Sequence, residues 1–261
     1  MLAGLIVMIV EREPFDPNSE SVRLVERCAN QIRPDVDIEW HKHYVGGNKV
    51  RIAFDLDIVT SSFPAGSHLC EFGSIPLMLT APLVERGYRV TGVDIAPERY
   101  SAAIAKLGVT VIKCNIETEL LPFGTALFDG VVFNELFEHL RINPIFTMRE
   151  VFRVMKPGAT LLLSSPNLRS VQGLWNFVFR DRAYSCLGGI YEQYGKLETL
   201  GHMGHVREYT STEVIEFLQR IGFVVTKLVC RGRYGSNVAQ AVARLRPTMR
   251  PFLTYVAEKP R

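Results

Sequence analysis

From His68 the sequence reads His-Leu-Cys-Glu-Phe-Gly, and from Arg89 it reads Arg-Val-Thr-Gly-Val-Asp, two short apolar runs with carboxylates, Glu71 and Asp94, near their ends. The residues between them suit a helix, so the spacing fits one βαβ unit. A right-handed crossover then makes the two strands parallel neighbours. In such a sheet, a glycine-bearing turn after one strand and an acid closing the next can hold an adenosine cofactor. Backbone N–H groups take the anionic end and a carboxylate takes the ribose hydroxyls. Gly73 is the one glycine of the first turn, and a plain strand-to-helix turn needs the same freedom. Asp94 says more, because a buried strand seldom ends in a carboxylate unless something donates to it. Its competing role is to cap the helix that Pro97 opens.

From Ser67 onward the alternation is regular. Strands are expected at 67–72, 89–95, 110–116, 128–133, 159–165, 223–230 and 252–257. Helices are expected at about 76–87, 97–107, 144–155, 212–221 and 238–245. Lys156-Pro157-Gly158 reads as the turn before the fifth strand. This is the pattern of an α/β fold with a doubly wound, mostly parallel sheet covered by helices on both faces. Residues 11–65 have weak periodicity and one helical stretch, Ser19 to Ile32, capped by Ser19 or Asn18. They are expected to be an N-terminal cover (1–65) on a main domain (66–261). Residues 167–209 interrupt the rhythm with Trp175, Phe177, Phe179, Tyr184, Tyr191, Tyr194 and Tyr209, which predicts a lid or binding insertion.

Composition excludes little beyond the extremes. With 47% hydrophobic and 22% charged residues and a net charge of +3, the chain is ordinary globular protein, with no call for nucleic acid as main partner. The C-terminal segment is locally basic, through Arg231, Arg233, Arg244, Arg246, Arg250, Lys259 and Arg261. Its two readings are a solvated face and a contact with an anionic surface. Five cysteines without a C-x-x-C pair argue against disulfides and structural zinc, and for a reducing, cytoplasmic setting. The first ten residues are apolar but too few to span a bilayer, and they lack a basic leader. A short strand, an apolar arm, or initiation at Met8 fits them better than a signal.

The later motifs carry a resemblance. Glu71-x-Gly73, Val93-Asp94, Asn115-Ile-Glu117 with Leu121-Pro122-Phe123, Phe128-Asp129-Gly-Val-Val-Phe-Asn134-Glu135-Leu-Phe-Glu138-His139-Leu140, and Arg149-Glu150-Val-Phe-Arg153-Val-Met-Lys156-Pro157-Gly158 occur in this order. Residues 66–166 thereby resemble the class I S-adenosylmethionine-dependent methyltransferases, in particular the ubiquinone-biosynthesis-like branch (methyltransferase type 11). The resemblance implies a Rossmann-like, seven-stranded sheet whose last strand is antiparallel. It implies S-adenosyl-L-methionine as cofactor, with Glu71, Gly73 and Ser74 at the methionine end, Asp94 on the ribose and Ile95 against adenine. Asn115 and Ile116 would lie at the adenine edge, and Asn134 and Glu135 beneath the sulfonium. The sequence departs from the family at Ile75 and Leu77, where glycines are usual, and at Asn115, where an acid is usual.

Methyl transfer to a hydroxyl needs alignment and a base. Two histidines are candidates: His139, just past the fourth strand, and His205 in Gly204-His205-Val-Arg207-Glu208-Tyr209. The alternative for His139 is a packing or capping role, and for the His205 segment a tie between lid and core. His41 and His43, with Trp40 and Tyr44, suggest a cover over the cofactor. No acidic cluster has magnesium spacing, so no catalytic metal is expected. The expected function is transfer of a methyl group to a small-molecule or glycan-like acceptor at oxygen, in a chain able to form a homodimer. A degenerate, non-catalytic binding domain and a nicotinamide-dependent oxidoreductase are the alternatives.

Overall fold

The computed structural model describes residues 8–11, 16, 18–35, 38–185, 189–200 and 204–261, so most of the apolar N-terminal run lies outside the described residues. The strands are β1 (Met8–Glu11), β2 (His68–Phe72), β3 (Arg89–Asp94), β4 (Thr110–Lys113), β5 (Phe128–Asn134), β6 (Met155–Pro166), β7 (Val224–Arg231) and β8 (Phe252–Glu258). The helices are α1 (Glu20–Gln31), α2 (Ile38–Ser62), α3 (Thr80–Glu85), α4 (Ser101–Leu107), α5 (Pro144–Val154), α6 (Val171–Arg180), α7 (Ile190–Leu200), α8 (Ser211–Ile221) and α9 (Asn237–Leu245). The strands form one sheet in the order β1-β7-β8-β6-β5-β2-β3-β4. All seven expected strands are present, β7 and β8 pair antiparallel, and β1 adds an eighth at the edge, parallel to β7.

The chain divides into two compact units, Phe15–Val132 with Arg153–Thr160, and Met1–Pro14 with Phe133–Phe152 and Leu161–Arg261. In the first, β2 pairs in parallel with both β3 and β5, Glu71 standing opposite Gly92 on one side and Val132 on the other. Parallel strands of this kind need cover on both faces, and Leu69, Cys70, Val93, Phe128, Val131 and Val132 are fully buried. Helix α1 begins at the expected cap, where the Ser19 hydroxyl accepts from the Val22 N–H. Its buried stripe, Val22, Leu24, Val25 and Cys28, packs against α2 and α3.

Three local expectations are corrected. Helix α2 was not legible in the sequence: its buried apolar residues, Ile52 to Val59, occupy only its second half, and Gly46-Gly47 interrupts the first. Helix α3 begins at Thr80 instead of near residue 76, because Leu77 is in the left-handed region, φ 67°, which no α-helix accommodates. The Lys-Pro-Gly segment is not a turn ahead of the strand but lies within β6, which starts at Met155.

The second unit is built on the β7/β8 hairpin and α8. Helix α8 carries a full capping box, in which the Thr210 hydroxyl accepts from the Glu213 N–H and the Glu213 carboxylate accepts from the Thr210 N–H at 2.8 Å. The aromatic insertion is closed at its base by the Asn167–Tyr209 bridge, with the Leu168 N–H donating to the Tyr209 carbonyl at 3.0 Å.

Gly130 tests the packing of the first unit. A Cβ there would lie inside the envelope of the Phe63 ring, so Gly130→Ala is expected to cost about 1–3 kcal/mol. Thermal melts would show a drop of several degrees, smaller in a Phe63→Leu background. A Gly130→Ala protein that melts like the parent refutes the contact.

Candidate functional site

In the first unit, the parallel register brings the carboxyl ends of β2 and β3 to one edge, the edge where open α/β sheets bind ligands. The chain leaves β2 through Gly73, whose φ of 67° needs glycine and whose N–H donates to the Val93 carbonyl at 2.8 Å. Ser74 then turns against β3. It is 2% exposed, and a Cβ on Gly92 would stand 2.5 Å from its Oγ. Gly92 therefore sets how closely the turn approaches the strand, a role the sequence reading missed although Gly92 lies inside the quoted Val-Thr-Gly-Val-Asp run. The Ser74 Oγ itself is buried with no hydrogen-bond partner, so the turn presents an unsatisfied hydroxyl.

Asp94 holds this turn from the other side. Its Oδ2 accepts from the Ile75 N–H at 3.1 Å, and its Oδ1 accepts from the Ala96 N–H at 2.9 Å. The carboxylate thus fastens the first loop, a role the sequence did not suggest, and bends the chain ahead of the Pro97–Tyr100 segment without capping it, since the N-cap there is Ala96 and has no side-chain cap bond. Ile95 beside it is half-buried. At the next strand end, Asn115 makes a local turn in which its Oδ1 accepts from the Glu117 N–H at 3.2 Å. With the oxygen engaged, its Nδ2 is the group to offer a ligand, a donor that matches a ring nitrogen of adenine instead of the exocyclic amine. Ile116 follows, half-buried.

Glu71 is buried at 6% exposure beneath the turn, with its Oε2 accepting from the Thr80 hydroxyl at 2.6 Å. Burial pushes its carboxyl up to about 8, against the Thr80 hydrogen bond and with help from the Asp94 and Asp55 charges. His41 is also buried, its Nδ1 2.9 Å from the Tyr100 hydroxyl, while His43 is exposed. The side chain of Trp40 lies outside the described residues.

In the second unit, Asn134 closes β5 and its buried Oδ1 has no hydrogen-bond partner. Glu135 follows in the left-handed region, φ 49°, a conformation a non-glycine residue keeps only when its surroundings impose it. Its Oε1 accepts from the Ser164 hydroxyl at 2.8 Å and from the buried Arg231 guanidinium at 2.9 Å. Arg231 was noted in the sequence only as part of a basic tail. Its partner across the sheet could not be read from one dimension.

The two candidate histidines come together. His139 ends a short 3₁₀ turn, Phe137–His139, and its ring stands edge-on to that of His205 with centroids 4.6 Å apart. The His139 Nδ1 donates to the Gly204 carbonyl at 3.0 Å, which leaves Nε2 as the basic nitrogen of the neutral ring. The Val206 N–H donates to the Glu138 carbonyl at 2.9 Å, so the His205 segment ties the insertion to this turn as well as carrying a histidine to it. His205 lies between two buried carboxylates, its Nε2 3.9 Å from Glu138 and its Nδ1 3.7 Å from Glu208. Glu208 also accepts from the Ser185 N–H at 2.6 Å and from the Ser185 hydroxyl. Glu138, His139 and His205 bring one potential ligand atom each within 4.8 Å of one another.

An α/β sheet of this order with these loops defines a Rossmann-like methyltransferase fold, and comparison with known proteins agrees. Residues 70–163 match the family described as "Methyltransferase domain". The chain is 30% identical over 118 residues to a ubiquinone biosynthesis O-methyltransferase of Xanthomonas oryzae pv. oryzae, a match covering 43% of this chain and 48% of that protein. It thus spans about half the length of the curated relatives it matches. The structure of the Burkholderia thailandensis 1,6-didemethyltoxoflavin-N1-methyltransferase, solved with S-adenosylhomocysteine, superposes with a TM-score of 0.57 at 16% identity, over 96% of this chain and 93% of that one. A SAM-dependent methyltransferase from Archaeoglobus fulgidus also gives a TM-score of 0.57, at 17% identity over 83% and 99% of the two chains. Residues 70–163 are accordingly similar to a methyltransferase domain, on a fold shared with S-adenosylmethionine-dependent methyltransferases.

The raised carboxyl of Glu71 has a consequence for stability. Its folded pKa, about 8, lies above its unfolded value, so the folded state binds the extra proton. The associated stability is full below the unfolded pKa, near 4.5, and is lost as pH rises through about 8. Glu71→Gln keeps an acceptor for Thr80 without the charge. It is expected to be more stable than the parent at pH 8.5 by about 2 kcal/mol, roughly 4–8 °C in Tm, and to lose the slope between pH 5 and 8.5. Parallel Tm-versus-pH curves for the two proteins contradict this assignment.

Proposed function

We propose that this chain transfers a methyl group from S-adenosyl-L-methionine to an oxygen of a small-molecule acceptor, in the reducing setting that its buried free cysteines suit. The observation that carries the reading is the cradle at the end of β2: a turn brought against Gly92, an unpartnered Ser74 hydroxyl facing it, and Asp94 holding its backbone. These groups fit the cofactor. Gly73 and Ser74 offer close backbone approach and a free hydroxyl for the amino-acid end, with Glu71 below. Asp94 takes the ribose hydroxyls, Ile95 and Ile116 flank the adenine, and Asn115 donates to its ring. In the second unit, the unpartnered Asn134 Oδ1 and the fixed Glu135 carboxylate are by themselves groups of the kind that favour a positive charge.

When bound, the cofactor would supply an electrophilic methyl group: as an acceptor oxygen bonds to the methyl carbon, the bond to sulfur breaks and the thioether departs, which requires in-line alignment and removal of the hydroxyl proton. His139 is the residue to accept that proton, because its Nδ1–H is committed to Gly204 and its Nε2 carries the lone pair. His205, held between Glu138 and Glu208, stabilises the imidazolium's surroundings and orients the His139 ring edge-on. The aromatic insertion supplies the apolar faces against which an aromatic or sugar-ring acceptor packs.

Calorimetry is expected to show binding of S-adenosylmethionine and S-adenosylhomocysteine, weakened about 10- to 100-fold or more in Asp94→Ala. Lack of heat with both ligands overturns the reading. With an acceptor in hand, His139→Gln should lower kcat by about 10²–10⁴ while leaving cofactor affinity within a few-fold. An undiminished kcat removes His139 as the base.

A further inference from the structure

The loop that leaves β3 is gripped from outside by the chain that joins α1 to α2 and by the first turns of α2. Asp35 donates its N–H to the Arg99 carbonyl at 2.8 Å, and its Oδ2 accepts from the Ala102 N–H at 3.4 Å. The second bond stands in for a missing cap: α4 begins at Ser101 with no side-chain cap of its own, and the Asp35 carboxylate satisfies one of the N–H groups that the first turn leaves over. Between these bonds lies Tyr100, fully buried, whose hydroxyl is 2.9 Å from the Nδ1 of His41 on α2, itself only 5% exposed. Contacts from residues 35 and 41 thus fall on positions 99, 100 and 102. The near end of the same loop is held by Asp94 through the Ala96 N–H. Ile95, which the proposed function sets against adenine, lies between the two anchors.

A buried histidine makes this fastening sensitive to charge. The neutral imidazole can meet the Tyr100 hydroxyl as acceptor or as donor, whereas the imidazolium only donates and brings a charge into a site largely closed to water. The groups set against the ring are the Tyr100 phenol, from the 3₁₀ turn, and the Arg33 guanidinium, from the chain after α1. Burial first, and Arg33 second, hold the ring below its ordinary value of 6.5. The fastened loop therefore binds the proton less readily than a loosened one. Its fastening is complete above about pH 6.5 and is lost as pH falls below that value. We infer that the His41–Tyr100 bond positions the loop for the adenosine half of the cofactor, and that protonation of His41 loosens this loop and weakens cofactor binding. Resting on the proposed use of S-adenosylmethionine, the role is one of positioning, since His41 acts through Tyr100.

Calorimetric titration of the whole chain with S-adenosylhomocysteine at pH 7.5 and pH 5.5, with circular dichroism to show a folded chain at both, tests the proposal. The parent is expected to bind about five- to tenfold more weakly at pH 5.5, the linkage of one proton across 6.5. Tyr100→Phe keeps the ring and loses the hydroxyl, and should bind about two- to tenfold more weakly at pH 7.5. In His41→Asn the side-chain amide reaches the Nδ1 position and does not titrate, so binding at pH 7.5 should stay near that of the parent and the acid dependence should disappear. A flat profile in the parent, or one that persists in His41→Asn, overturns the proposal. Amide exchange without ligand separates this outcome from a failure of the proposed cofactor. The Asp35 N–H should lose protection at pH 5.5, beyond the intrinsic change in exchange rate, in the parent and not in His41→Asn. A chain that shows this exchange but gives no heat with the ligand at pH 7.5 overturns the cofactor, and the proposal with it. Protection indifferent to His41 overturns the clamp whatever the ligand does.

Discussion

The near-contact between the Ser74 turn and Gly92 is the constraint on which the β2–β3 edge depends. Because residue 92 has no side chain, the chain leaving β2 folds down onto β3 closely enough for the Gly73 N–H to reach the Val93 carbonyl. That approach in turn places the Ile75 N–H on the Asp94 carboxylate. Two strand ends are thereby locked through backbone and one acid, and Glu71 is buried beneath them. The raised carboxyl of Glu71 is the electrostatic result of that burial. The family usually reaches such a turn with several glycines. Here Leu77 adopts the left-handed backbone that glycine would otherwise supply, and its side chain is fully buried, so burial offsets the strain.

In the second unit the corresponding role falls to polar groups that are buried but mutually satisfied. Arg231 at the end of β7 and Ser164 on β6 converge on one oxygen of Glu135, and Arg231 also donates to the Thr254 hydroxyl on β8 at 3.0 Å. A buried guanidinium is costly unless its donors and charge are matched. Matching it by Glu135, just past β5, and Thr254 on β8, with Ser164 of β6 donating to the same carboxylate, ties these strand ends to a single geometry. The 3₁₀ turn beyond β5 is then tied to the end of the insertion by the Val206 N–H on the Glu138 carbonyl and by the His139–Gly204 contact.

The surface of α6 shows the opposite solution. Its N-terminus is capped by Ser170, and Gly173 lets it pass over the Leu168 carbonyl, yet its large side chains remain in solvent. Such an arrangement is stable only if the helix is anchored at its ends, as the Tyr234 bonds and α9 do here. It leaves the aromatic residues available for something other than folding.

Periodicity alone determined the alternation of strands and helices from Ser67 onward, because parallel strands buried on both faces must be continuously apolar and their crossovers amphipathic. The Ser19 cap and the terminal helix α9 were legible for the same reason: each rests on neighbours in the chain, whereas the antiparallel pairing of β7 and β8 was expected only from the family resemblance. Helix α2 was not, since its burial comes from α1 and only along its second half. Nor was the late start of α3, which follows from the backbone of one residue, Leu77. The candidate residues Glu71, Gly73, Asp94 and His139 could be named from their positions at strand ends, and His205 from the polar cluster that closes the aromatic segment. Tertiary structure decided what they do to one another: Gly92 as the spacer for Ser74, Asp94 as the anchor of Ile75, Arg231 as the partner of Glu135, and the meeting of two histidines 66 residues apart in the chain. Local patterns record which face of an element is buried. Which distant side chain arrives there is settled only when the sheet order and the loop closures are complete.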